Sequence, residues 1–189
     1  MTGMSPPLKI KVPLSGEDVE RLRAGDIVHL TGTVLTGRDA AHKRMYELLE
    51  QGKALPVSLD GQVIYYVGPA PSKPGQVINS AGPTTSSRMD KYSPRLIAEG
   101  LTGMIGKGYR SDAVVDAMKK HRCVYFAAVG GAAALIAKSI KKSEILAWEE
   151  LGTEAVRRME VEDFPAVVII DADGNNLYTA GREKYKRTA

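Results

Sequence analysis

Asp26-Ile-Val-His-Leu-Thr-Gly-Thr-Val-Leu-Thr-Gly-Arg-Asp39 is the stretch on which the fold turns. Its first ten residues are mostly valine, isoleucine, leucine and threonine, side chains that suit a pleated backbone, so residues 26–35 read as a strand. Thr36-Gly37 ends it. Asp39 can then cap a helix to about Gln51, in which Ala41, Met45, Leu48 and Leu49 share one face. A strand that hands over directly to an amphipathic helix predicts an α/β domain, a mixed sheet with covering helices.

Working outward, Leu8, Ile10 and Val12 alternate with polar residues as a short strand does, and Ser15 can cap a helix over residues 17–23. Asp60-Gly61 predicts a hairpin between residues 57–59 and 63–67, and the three prolines of 69–75 a surface loop. Residues 90–99 have helical character around Leu96 and Ile97. Strands and helices then alternate. An apolar run covers 101–105, and Ser111 can cap a helix to about His121 with Val114, Val115 and Met118 on one face. Residues 123–129 read as a strand, and Gly130-Gly131 opens an alanine-rich helix to about Ser139. Residues 141–159 have a helix-like composition broken at Gly152. Residues 164–170 read as a buried strand, and Asp173-Gly174 as a hairpin turn into Leu177-Tyr178. No repeat or linker divides the chain, so a single domain over 1–189 is expected, with short flexible ends at 1–6 and 182–189. Strand order cannot be read from these patterns.

The 189 residues suffice for one sizeable core. With 43% hydrophobic and 25% charged residues and a net charge of +4, the chain has the balance of a globular protein. The charge surplus admits an anionic partner, but no arginine-rich arm, zinc spacing or aromatic stacking pattern points to nucleic acid. Lys119-Lys-His-Arg122 and Lys141-Lys142 read as solvated helix ends. No apolar stretch is long enough to span a membrane, and the first residues lack the pattern of a signal peptide, so a cytoplasmic location is expected. The one cysteine, Cys123, lies in an apolar run and reads as a buried, inert thiol rather than the basis of a thiol enzyme.

Three turns carry the chemistry: Thr36-Gly-Arg-Asp39, Ala81-Gly-Pro-Thr-Thr-Ser-Ser-Arg-Met-Asp90 and Ile105-Gly-Lys-Gly108. Each sets a cation near glycine, and the middle one crowds four hydroxyls, a guanidinium and a carboxylate into ten residues. Polar groups are costly to bury in such density unless they serve a ligand. Arg38 at a helix start suits a carboxylate or phosphate, or simply pairs with Asp39. Thr84 and Arg88, four apart, face the same way if the segment winds into a helical turn, and Thr84 is also suited to plain capping. Lys107 sits between glycines that permit close approach of a ligand, without the spacing of a Walker A loop. His42, one turn into its helix, has no histidine partner at metal-ligand spacing. No hydrolase elbow, dinucleotide fingerprint or metal cluster is present.

The segments Val28–Arg44, Gly82–Asp90, Gly106-Lys-Gly108, Gly130–Ala134, Glu160–Ala166 and Asp173–Leu177, in this order, resemble one protein family. It is that of the β subunits of two-subunit class I (iron–sulfur) fumarate hydratases and L(+)-tartrate dehydratase, and of the C-terminal part of single-chain class I fumarases. The resemblance runs from about residue 7 to 180. It implies a swivelling β/β/α fold and a hydro-lyase that reversibly hydrates a dicarboxylate. Arg38, Arg88 and Lys107 would bind substrate carboxylates, Thr84 would be the base on carbon, and His42 would be a second catalytic candidate. Asp39 and Asp90 would orient the neighbouring arginines. The [4Fe–4S] cluster of such enzymes needs three thiolates, more than this chain has. The resemblance therefore implies a separate α subunit that carries it, in a heterotetramer. Tartrate and mesaconate are alternatives to fumarate. A non-catalytic anion-binding or assembly domain is the alternative of another class. A neighbouring gene for a larger chain with three separated cysteines would discriminate the two.

Overall fold

The computed structural model describes residues 6–72, 74–128 and 133–185. Seven strands form one sheet in the order β1-β2-β3-β4-β5-β7-β6, and an added pairing of β2 with β7 closes five of them into a barrel. The opening stretch is strand β2 (Ile27–Thr36) followed by helix α2 (Asp39–Glu50), as its pattern predicts, except that Arg38 and not Asp39 is the N-cap residue and no side chain caps the helix. β2 pairs in parallel with β1 (Leu8–Val12) along its first half and with β3 (Val63–Tyr65) at its end. Two further parallel steps add β4 (Gly103–Gly106) and β5 (Val124–Ala128). The 15-residue β7 (Val156–Ile170) returns antiparallel between β2 and β5. The architecture is thus mixed α/β, a closed five-stranded mixed barrel with helices packed outside.

Side chains of period two divide the core. Val63, Tyr65, Ile105, Val124, Phe126, Phe164 and Val168 point into the barrel with Val28, Leu30 and Val34. Their alternates Ile64, Tyr66, Met104, Tyr125 and Ile169 face outward under the helices, against Met45, Leu96, Val114 and Met118. The covering helices include α3 (Ser93–Ile97) and α4 (Asp112–His121). The short α1 (Gly16–Arg21) is opened by a capping box between Ser15 and Asp18. Arg122 ends α4 in the left-handed conformation, with φ at 56°.

Three local expectations are corrected. Residues 141–159 are not helical: strand β6 (Ile140–Ala147), a 3-10 stretch (Glu149–Glu154) and the start of β7 occupy them. β6 is an edge strand. The Lys and Glu content that resembles a helix surface is its solvated face, cross-paired as Lys142–Glu160 at 3.6 Å and Arg158–Glu144 at 2.8 Å. Asp60-Gly61 does turn, with Gly61 at φ +69°, but residues 57–59 form no strand, and β3 finds parallel partners instead of a hairpin. After Asp173-Gly174 a single antiparallel bridge joins Ile170 to Asn176, and helix α6 (Leu177–Tyr185) follows where a strand was expected. Of the expected end at 182–189, residues to Tyr185 are helical. Helix α5 (Ala133–Ser139) has its predicted end, whereas Gly130-Gly131 lies outside the described residues, as does the expected end 1–6 save for Pro6.

Candidate active site

The parallel strands β2, β3 and β4 all finish on one rim of the barrel. Beyond the carboxyl ends of parallel strands the connecting segments leave the sheet, and α/β folds gather ligand-binding groups there. All three polar turns lie on this rim. Gly37 N–H donates to the Tyr65 carbonyl at 3.2 Å, which ties the first turn to β3. Thr84 N–H donates to the Tyr66 carbonyl at 2.7 Å, and Ser86 N–H to the Lys107 carbonyl at 2.9 Å. Thr85 forms a parallel bridge with Lys107, so the decapeptide is laid along the end of β4. Gly106 makes this possible: a Cβ there would lie 2.0 Å from Ser86 Oγ.

Asp39 is the meeting point of two cations. Its Oδ1 accepts a hydrogen bond from Arg88 Nε at 2.9 Å, and its Oδ2 lies 3.7 Å from Arg38 Nη2. Arg38 is the N-cap residue of α2, in extended conformation, and its side chain lies over Gly68, where a Cβ would come within 2.7 Å of Nη1. Its Nε is buried without a partner among the described residues. Arg88 lies in a 3-10 turn (Ser86–Met89), which begins two residues beyond Thr84. Its side chain is 51% exposed, and among the described residues Arg88 makes no ion pair besides that with Asp39. Thr84 is half-buried, and Lys107 is exposed and enters no ion pair among the described residues.

His42 is buried beneath this pair. Its Nδ1 lies 2.9 Å from the Arg38 carbonyl, the geometry of a donated N–H, and its ring meets Tyr66 edge-on at 5.2 Å. That leaves Nε2 as the bare acceptor, buried and without a partner among the described residues. Burial pushes its pKa down to about 4, against the opposing effect of the Arg38 bond, so at neutral pH the imidazole carries no charge.

Asp90 serves a residue that the sequence pattern does not single out. It takes Arg110 Nε at 2.7 Å on Oδ1 and the Ser111 amide at 2.7 Å on Oδ2, and does not pair with Arg88. Arg110 is buried, with Nη2 donating to Ser93 Oγ at 2.8 Å and Nη1 to the Tyr66 hydroxyl at 3.1 Å. The only sequence signal was an arginine placed just before a helix cap, three residues after Lys107. Beside it, Ser86 Oγ lies 2.8 Å from the Tyr125 hydroxyl and accepts from Lys107 N–H at 3.1 Å.

Among the described residues no group of three or more His, Cys, Asp or Glu side chains could hold a metal ion. Cys123 is buried, and burial pushes its thiol up to about 12, far from the thiolate an iron–sulfur cluster requires. Among the described residues no helix is long and apolar enough to cross a membrane.

Known proteins extend the comparison. The chain is 46% identical over 151 residues to the anaerobic class I fumarate hydratase of Escherichia coli K12, covering 79% of this chain and 28% of that protein. It is 40% identical over 180 residues to fumarate hydratase 2 of Leishmania major, covering 94% of this chain and 32% of that one. The chain therefore spans about a third or less of these fumarate hydratases. A Methanocaldococcus jannaschii protein, provisionally named L(+)-tartrate dehydratase subunit beta, is 37% identical over 177 residues, 90% of this chain and 91% of its own length. The sequence profile described as Fumarase C-terminus matches residues 5–181. The chain belongs to the fumarase C-terminus family.

Proposed function

We propose that this chain is the β subunit of a class I fumarate hydratase, which with a separate α subunit reversibly hydrates fumarate to malate. One observation carries the reading: two guanidiniums from distant turns converge on Asp39, on the rim that also bears Thr84 and Lys107, in a chain of the fumarase C-terminus family. Removing the proton beside a malate carboxylate adds negative charge to a group already negative. Arg38, Arg88 and Lys107 would bind the carboxylates and stabilise that charge as it develops. Thr84 would take the proton. Its hydroxyl is a weak base, and the neighbouring cations would supply the stabilisation its anion needs. His42, neutral and held by the Arg38 carbonyl, is the second catalytic candidate.

The residues present do not fit a [4Fe–4S] cluster, and the reading assigns that cluster to the α subunit. It also takes 1–189 as one domain of the swivelling β/β/α kind, acting in the cytoplasm as half of a heterotetramer. The nearest alternative is an L(+)-tartrate dehydratase β subunit, favoured by the match over nearly the full length of the M. jannaschii chain. Mesaconate is a further candidate substrate.

The test is anaerobic reconstitution with the partner chain, followed by assays on fumarate, malate, tartrate and mesaconate. Thr84→Ala is expected to lose turnover by about a hundredfold or more while still binding dicarboxylate. Near-normal turnover would remove Thr84 as the base. Binding of dicarboxylate with no turnover of any of the four would favour the anion-binding or assembly reading.

A further inference from the structure

A buried charge outside the substrate-binding set ties the rim together. Arg110 has a side chain with no exposed surface, and every nitrogen of its guanidinium is bonded. Its carbon centre lies 5.2 Å from the ring centres of both Tyr66 and Tyr125. Burying a cation is costly unless its donors are matched, so this one is held where its partners meet. Those partners come from separate parts of the rim. Asp90 is two residues after Arg88, at the end of the decapeptide. Tyr66 follows β3, and its carbonyl anchors Thr84. Ser93 opens α3. Arg110 itself sits three residues after Lys107, and Asp90 also binds the amide of Ser111. Tyr125, beside the guanidinium, meets the Ser86 hydroxyl that receives the Lys107 amide.

We propose that Arg110 is a positioning residue that fixes the Arg88 turn against the Lys107 turn through Asp90. This rests on the reading of the rim as a dicarboxylate site. Lysine cannot replace it, because a point charge on a flexible stem does not reproduce a planar fork held between two rings.

Two measurements on Arg110→Lys test the idea. Hydrogen exchange on the full chain reads the clasp directly. The amides of Ser86, Lys107 and Ser111 should exchange at least about tenfold faster, while those of β2 and β7 stay protected. In the reconstituted complex, KM for the dicarboxylate should rise about tenfold or more, with kcat per active site also lowered, because substrate cations would be misplaced before and during the reaction. A merely structural residue would reduce the amount of folded complex and leave KM unchanged. Unaltered exchange at the three amides, a general loss of protection that includes the barrel, or an unchanged KM overturns the proposal. Should Arg110→Lys fail to fold, Asp90→Asn, which keeps the shape and removes the charge, is read by the same criteria. A wild-type complex that turns over none of the dicarboxylates defeats the functional reading, and the exchange result still decides the role of Arg110.

Discussion

Replacing Gly106 with alanine tests how closely the decapeptide is packed on β4. A Cβ at this position would lie 2.0 Å from Ser86 Oγ, 2.9 Å from Tyr66 Cδ2 and 3.3 Å from Ser86 Cβ, where ordinary contact begins at 3.4 Å. The hydroxyl must rotate away. In doing so it abandons the Lys107 amide at 3.1 Å and the Tyr125 hydroxyl at 2.8 Å. Two lost hydrogen bonds cost about 1 kcal/mol each, and more where the abandoned group stays buried. The Tyr66 ring is fully buried and bonded to Arg110, so its displacement adds an overpacking cost of about 1–3 kcal/mol. Gly106→Ala should therefore destabilise the chain by about 3–5 kcal/mol. Urea unfolding followed by fluorescence of the one tryptophan, Trp148, should show a lower midpoint at constant slope. Ser86→Ala removes the atom in the closest clash, so the double variant should be less destabilised than the sum of the two by about 1–2 kcal/mol. A cost below about 1 kcal/mol, or additivity within about 0.5 kcal/mol, would refute the argument.

His42 predicts a pH dependence of stability. Its folded pKa, near 4, is below the ordinary 6.5, so the unfolded chain binds its proton first as pH falls. The contribution is complete above about pH 6.5, is lost progressively down to about pH 4, and amounts to about 3 kcal/mol; His42→Gln should flatten the stability profile in that window. Arg110 opposes protonation of the ring and Asp39 favours it, and the shift from burial exceeds both. Cys123 should resist thiol reagents in the native chain and react stoichiometrically in denaturant; rapid native reaction would contradict its burial.

How far the sequence was legible depended on whether a signal was local. β2 and α2 announced themselves because a ten-residue run dominated by valine, isoleucine, leucine and threonine, followed by an amphipathic face, needs no distant partner. β6 did not, because Lys141 to Ala147 is a strand only by virtue of its pairing with β7, and its charged face has the composition of a solvated helix. Barrel closure was equally hidden. It depends on pairs such as Leu35 with Arg158, and no short-range pattern links them. The rim followed the same division. Arg38, Arg88 and Lys107 stood out as cations in glycine-bearing turns, and Asp39 as a neighbour able to pair. Arg110 escaped notice because an arginine before a helix cap is ordinarily solvated, and nothing adjacent in the chain reveals that Tyr66, Asp90 and Tyr125 enclose it.

The exposure of the rim bears on why such a chain would work with a partner. Arg88 is half exposed, and Lys107 stands in solvent. A carboxylate about 4 Å from one such cation gains about 1 kcal/mol in bulk water, against about 4 kcal/mol at an effective dielectric of about 20. Physiological salt, with a screening length of about 8 Å, weakens the open arrangement further. Asp39 acts in the same direction, since it neutralises part of the charge it organises. Among the described residues it holds Arg88 by Nε alone, which would leave the terminal nitrogens of the fork available to a carboxylate ligand. A carboxylate bound on the rim alone would therefore be held weakly, and a second surface that excludes water would strengthen each charge interaction there several-fold. On the proposed reading the α subunit supplies that surface together with the cluster. On that reading Asp39 would keep two like charges within reach of one small diacid while the site is still open to water.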